Sequence, residues 1–243
     1  MNVQPEPLQP PRPRILPVPG VRPVLTYAIM AVTILVFIGQ VTLGEAFTAA
    51  GDKDNQLILQ GEYWRFITPI FLHASIWHIF FNMYALYNVG RQIERPLGYA
   101  RFGMIYFFSG VAGVFASFLL TKGNSLGASG AIFGLIGALA VFLHRNSRLF
   151  GSAGRSMLGQ VVFIILLNLS LSLTPGIDLW GHVGGLISGA ALTWALGPVW
   201  KIVVDPYTGY PAAVDGNPLS RHVTAAFFAL FALYAATLWL LVR

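Results

Sequence analysis

Leu179 to Leu196 reads LWGHVGGLISGAALTWAL, without a single Asp, Glu, Lys or Arg. An uncharged stretch of that length reads as a membrane-spanning helix. Gly181, Gly185 and Gly189 recur at every fourth position, so they share one face and let a neighbouring backbone come close. Helix packing alone explains such a stripe. It does not explain His182 set within it, because an ionisable group inside a bilayer is costly and marks a functional site by default.

Outward from this segment the chain keeps the same character. It has 243 residues, 56% of them hydrophobic and only 10% charged, against roughly 25% charged in an average soluble domain. The charges are confined to short stretches between apolar runs, so the core is expected to be packed in lipid. Seven runs are long enough for a hydrocarbon core of roughly 30 Å. They are Val24 to Leu43, Phe71 to Val89, Phe102 to Leu120, Ala128 to Leu143, Met157 to Leu173, Leu179 to Leu196 and Val223 to Val242. The expected fold is all-α, a polytopic membrane helix bundle with seven transmembrane helices.

With the amino terminus placed in the cytoplasm, eleven Lys and Arg residues fall inside and four (Lys53, Arg65, Lys122 and Arg243) fall outside. This positive-inside bias supports both the count and the orientation. Eight of the fifteen prolines lie in residues 1–23, which read as a disordered tail with polyproline II character rather than a cleaved signal. The net charge of +6 is spread over many short loops rather than gathered into a stripe, which argues against nucleic acid. With no cysteine, thiol catalysis and disulfides are excluded. The connection from Gly44 to about Ile70 is longer than the other outside loops and carries Leu57, Ile58, Leu59, Tyr63, Trp64 and Phe66. It reads equally as an interfacial anchor and as a working loop.

Three spans converge chemically. The second, fourth and sixth all run from outside to inside and carry their polar residues near their outer ends: His73, His78 and Asn82 on the second, Ser129 on the fourth, His182 on the sixth. Gly127, Gly130, Gly134 and Gly137 line the fourth span, so close approach to the sixth would bring the Ser129 hydroxyl within reach of the His182 imidazole, as an activated nucleophile requires. No Asp or Glu lies at that depth in these spans, which favours a Ser-His dyad over a carboxylate-oriented triad. Asp178, four residues before His182, reads as a helix cap. His78 and Asn82, spaced i and i+4, share one helix face and are expected to stabilise the oxyanion together with the Ser129 backbone N–H. His144 and His222 sit at cytoplasmic ends and read as snorkelling residues.

A three-histidine zinc site built from His73, His78 and His182 is disfavoured. His73 and His78 are roughly 140° apart round a helix, and no glutamate stands beside them as a base. No metal or cofactor is expected. A transporter using the histidines as a proton relay should connect both sides, whereas the deep polar groups stop in the outer half.

These motifs resemble the rhomboid family of intramembrane serine proteases from about Trp64 to Gly189. The resemblance is carried by Trp64-Arg65, His73-x4-His78-x3-Asn82, Gly127-Ala128-Ser129-Gly130 and His182-x2-Gly185-x3-Gly189. It implies a six-helix rhomboid core plus one C-terminal helix, with Ser129 attacking the scissile carbonyl, His182 moving the proton, and His78 and Asn82 on the oxyanion. His73 matches a position that is usually structural. Two departures are visible: Gly181 stands where the family often has Ala, and Phe133 where it sometimes has a Tyr stacked on the histidine. Phe133 can still pack on an imidazole but donates no hydrogen bond.

The implied substrates are single-span transmembrane proteins in the lipid bilayer, cut near the outer face where poor helix formers expose the backbone. Asn168, Ser170 and Ser172 on the fifth span are expected to border the entry path. A rhomboid-like, non-proteolytic client-binding protein is the alternative, against which the presence of both Ser129 and His182 argues. The expected organisation is a cytoplasmic tail over 1–23, the core over 24–197 with its long first loop over 44–70, a cytoplasmic loop over 198–221 and a seventh helix over 222–243. The expected location is the plasma or inner membrane, with the site opening to the outer side; oligomeric state is unassigned.

Overall fold

The computed structural model describes residues 18–207 and 209–220. The expected seventh helix, and the tail before residue 18, lie outside the described residues. Six long helices account for the other six runs: α1 (Val24–Leu43), α4 (Ile76–Leu97), α5 (Tyr99–Leu120), α6 (Ser129–Arg145), α7 (Ser147–Leu171) and α8 (Leu179–Leu196). Among the described residues α1, α5 and α7 are long and apolar enough to cross a membrane, and α6 is a shorter apolar helix. The long first loop is built rather than open. It contains the short helices α2 (Glu45–Ala49) and α3 (Asn55–Leu59), and two 3-10 turns, Tyr63–Phe66 and Thr68–Phe71.

Helix α6 is the central element, with eleven of its seventeen residues buried. A helix apolar on all sides is stable only when neighbours surround it, and α4, α5, α7 and α8 do so. Its tightest contact is with α8. A Cβ at Gly185 would lie 2.0 Å from Gly130 O, and one at Gly189 would lie 2.1 Å from Gly134 O. The two backbones touch, and no other residue type fits these positions. Away from these contacts Trp77, Phe80 and Phe81 of α4, Leu35 and Val41 of α1, and Phe163 and Leu166 of α7 are all more than half exposed. Apolar surface on this scale needs lipid, not water, as its solvent.

Helix α1 begins after Pro23, which supplies no side-chain cap. Its free amides are met from another helix: both Glu94 carboxylate oxygens accept from α1, one from Leu25 N and the other from Thr26 N, each at 2.8 Å. Glu94 is fully buried, and a carboxylate at a helix N-terminus is favoured by unpaired amides and helix dipole alike.

The segment read as a loop over 198–221 is not irregular throughout. It holds an antiparallel hairpin, β1 (Trp200–Val204) with β2 (Pro211–Asp215). The hairpin is pinned to the bundle by the buried Arg101, which donates to Asp215 Oδ2 at 2.7 Å and to Leu196 O at 2.7 Å. The all-α expectation is therefore corrected by one small sheet, held by tertiary bonds that no local pattern announces.

Candidate active site

Ser129 is the first residue of α6, and His182 lies in the first turn of α8. Backbone contact between these helices brings Ser129 Oγ to 2.8 Å from His182 Nε2. The imidazole is buried and stacked on Phe133, with ring centroids 4.3 Å apart and planes 15° from parallel. Phe133 is one helical turn after Ser129, so a single helix supplies both the hydroxyl and the surface that flattens the ring against it. The second ring nitrogen, His182 Nδ1, meets Ser172 Oγ at 2.6 Å. Ser172 is buried at the C-cap of α7. This places Ser172 beside the histidine rather than merely along an entry path. Asn168 lines the cavity described below, and Ser170 is exposed and bonded to its own helix at Leu166 O.

The loop that delivers Ser129 is fixed from several directions. Lys53 and Ser125 exchange backbone hydrogen bonds of 2.9 and 3.1 Å, and Lys53 Nζ donates to Thr121 O and Gly123 O at 2.7 and 2.8 Å. Arg65 bridges Asp52 and Glu62 at 2.8 and 2.7 Å, while Asp52 also accepts from Asn124 at 2.9 Å. The long first loop therefore grips the loop before Ser129. Burial pulls the Lys53 ammonium below its ordinary value, against the opposing pull of Asp178 and Asp54.

Asp178 caps α8 by accepting from Gly181 N at 3.1 Å, and it also accepts from Ser125 Oγ at 2.6 Å and Thr121 Oγ1 at 3.0 Å. It thus ties the start of the His182 helix to the loop that presents Ser129. Burial alone would raise its carboxyl, but the surrounding hydroxyls and the Gly181 amide outweigh that and hold it below the usual carboxylate range. The carboxylate is spent on the cap and the loop, and the histidine's Nδ1 faces a serine instead.

His78 and Asn82 lie on α4 facing the same cavity as Ser129. His78 Nδ1 accepts from Ala74 N at 3.3 Å, which assigns the ring proton to Nε2. That nitrogen faces Gly127, where φ is +135° and a Cβ would come within 2.9 Å of it. Gly127 is needed on both counts, since only glycine combines this conformation with so close an approach. Asn82 donates one amide hydrogen to His78 O at 2.9 Å, leaving one for the cavity. His73 precedes α4 rather than lying on it, because Ser75 caps that helix by accepting from His78 N. It accepts weakly from Ala128 N at 3.5 Å and stacks edge-on against His78 at 5.0 Å. His73 N is anchored to α1 through Gln40 Oε1 at 2.9 Å.

The cavity over these groups has a volume of about 790 Å³ and runs from His78 and Asn82 past Ser129 to His182 and Asp178. Such a volume lies within the range of specific binding sites. An apolar-sided helix bundle enclosing a cavity into which these few polar groups converge defines an integral, multi-pass membrane protein with an internal site. The chain belongs to the rhomboid family of intramembrane proteases: the Rhomboid domain matches residues 60–199. It is 42% identical over 182 residues to "Rhomboid protease GluP" of Bacillus subtilis, covering 72% of this chain and 35% of that protein. It is 38% identical to "RHOMBOID-like protein 6, mitochondrial" of Arabidopsis thaliana, over 66% of this chain and 50% of that one. Identity to "Rhomboid-like protease 1" of Toxoplasma gondii is 38%, over 56% of this chain and 48% of that protein. The chain thus spans between a third and a half of the length of these relatives.

Proposed function

We propose that this protein is a serine endopeptidase that hydrolyses peptide bonds in or near the transmembrane segments of single-span membrane proteins. The observation that carries the reading is the 2.8 Å hydrogen bond between Ser129 Oγ and His182 Nε2 inside the bundle. In the proposed reaction Ser129 attacks the scissile carbonyl as its proton passes to His182 Nε2. The collapsing intermediate expels the amine, which takes that proton, and water then hydrolyses the acyl-enzyme by the same exchange in reverse. The developing oxyanion is met by His78 Nε2–H, the free amide hydrogen of Asn82 and the Ser129 backbone N–H at an uncapped helix start. Each such donor is worth about 3 kcal/mol of transition-state stabilisation.

The fifth-span helix α7, with Asn168 on the cavity wall, borders the path by which a substrate segment enters from lipid. The charge distribution of the loops supports a cytoplasmic amino terminus and a site opening to the outer face of a cell membrane. A zinc reading is opposed by the ring contacts of His182, whose two nitrogens are both engaged by serine hydroxyls.

Co-expression with a panel of single-span reporter proteins tests the reading. Ser129→Ala and His182→Ala, at matched membrane levels, are expected to lose cleavage by roughly 10⁴-fold or more, with no response to chelators. Cleavage that survives in the serine variant would sink the mechanism.

A further inference from the structure

A histidine can serve as a general base through Nε2 only if that nitrogen carries a lone pair, so its single ring proton must sit on Nδ1. In a triad a carboxylate holds the proton there because it can only accept. Here Nδ1 faces a hydroxyl at 2.6 Å, and a hydroxyl can donate or accept. The direction of this bond therefore decides whether His182 is a base or a bystander.

The surroundings of Ser172 settle that direction. Ser172 Oγ also lies 2.7 Å from Asn168 O, a carbonyl that can only accept. A serine hydroxyl has one proton, and the carbonyl claims it. Toward His182 the same oxygen is left with lone pairs alone, so Nδ1 must be the donor and Nε2 the acceptor. We propose that Ser172 is a positioning residue for the Ser129–His182 pair, a neutral substitute for a triad carboxylate whose polarity is set by the last turn of α7. This inference rests on the serine-protease reading above.

When Ser129 attacks, its proton moves to Nε2 and the ring becomes an imidazolium whose Nδ1–H still points at Ser172 Oγ. Ser172 keeps its own proton on Oγ throughout, donated to Asn168 O. The proton on Nε2 then leaves with the amine and the ring returns to its resting tautomer. Phe133 restrains the ring plane by stacking but offers no hydrogen bond, so among the described residues the ring's hydrogen bonds within that plane come from Ser172 and Ser129.

The test begins with the unaltered 243-residue chain in detergent or lipid, labelled with ¹⁵N-histidine. The His182 signal, assigned by its loss in His182→Asn, is expected to show a protonated Nδ1 and an unprotonated Nε2. The reverse tautomer would overturn the inference without recourse to any variant. Ser172→Ala is then expected to yield a mixed tautomer signal and a turnover rate about 10- to 100-fold lower with KM little changed, while Ser172→Thr, which retains the hydroxyl, restores both. Parent-like turnover and tautomer in a folded Ser172→Ala protein would also overturn it. Labelling of Ser129 by a fluorophosphonate keeps the two readings separable. A parent protein that is never labelled refutes the protease reading, whereas a labelled parent with an indifferent Ser172 refutes this one.

Discussion

Helices α7 and α8 flank the same central helix, α8 carrying the His182 imidazole and α7 ending on the serine that meets it, but they are held in place by different means. The spacing of α8 from α6 is fixed by backbone atoms, with Gly185 and Gly189 against the Gly130 and Gly134 carbonyls. That of α7 is set by side chains, such as Phe150 on Phe142 at 5.8 Å. Much less of α7 than of α5 is buried. Backbone contact leaves no slack, whereas side chains facing lipid can repack at little cost. The Ser129–His182 distance is therefore built on the rigid pair, and the orientation of the imidazole depends on the looser helix through Ser172.

The contrast is broken most directly at Gly189. Gly189→Leu must separate α6 from α8 and is expected to cost at least about 3 kcal/mol, the upper range for overpacking. Thermal unfolding in detergent reads this, and a parent-like melting curve would show that the contact is not fixed by backbone. Asp178→Ala is the intermediate case, since it removes the α8 cap and strands Ser125 and Thr121. A loss of about 2 kcal/mol follows from one cap and two half-buried hydrogen bonds. The pH dependence has a definite sign. The folded carboxyl lies below its ordinary value of 3.8, so its contribution is complete above that value and is lost as the pH falls through the folded pKa. Acid unfolding of Asp178→Asn should lack this component, and an unchanged acid limb would count against it. The smallest effect is expected on α7, where Phe163 is 64% exposed. Phe163→Ala should shift stability by no more than about 0.5 kcal/mol, and a loss near that of Gly189→Leu would erase the distinction between the helices.

The same contrast explains what was legible in the sequence. The runs Val24–Leu43 and Leu179–Leu196 coincide with α1 and α8, because uncharged apolar stretches of this length have one stable form in lipid. Helix α4 begins five residues later than its apolar run, since Thr68–Phe71 form a 3-10 turn and Ser75 supplies the cap. Its far end extends to Leu97, past Glu94 and Arg95, because Glu94 is consumed by α1. Helix α7 starts ten residues before its run and passes through a break at Gly151, where φ is +56°. A hydropathy reading stops at such charged or glycine-rich turns.

The juxtaposition of Ser129 and His182 could be anticipated from depth and glycine spacing, because both fix helix register. Ser172 was visible only as one of three polar residues on its span. Its approach to His182 depends on the turn between α7 and α8, which no periodicity encodes. The hairpin was hidden for a related reason: Arg101, 114 positions from Asp215, holds it in place.

The bond between Glu94 and the start of α1 bears on how the bundle comes together. In chain order the first turn of α1 precedes its cap by 68 positions. Until α4 is alongside, the amides of Leu25 and Thr26 have only water or headgroups to satisfy them, and α1 has a frayed beginning. Its first turn and the buried carboxylate of α4 are completed in one event, so the two helices mature as a pair whatever the order in which they enter the bilayer.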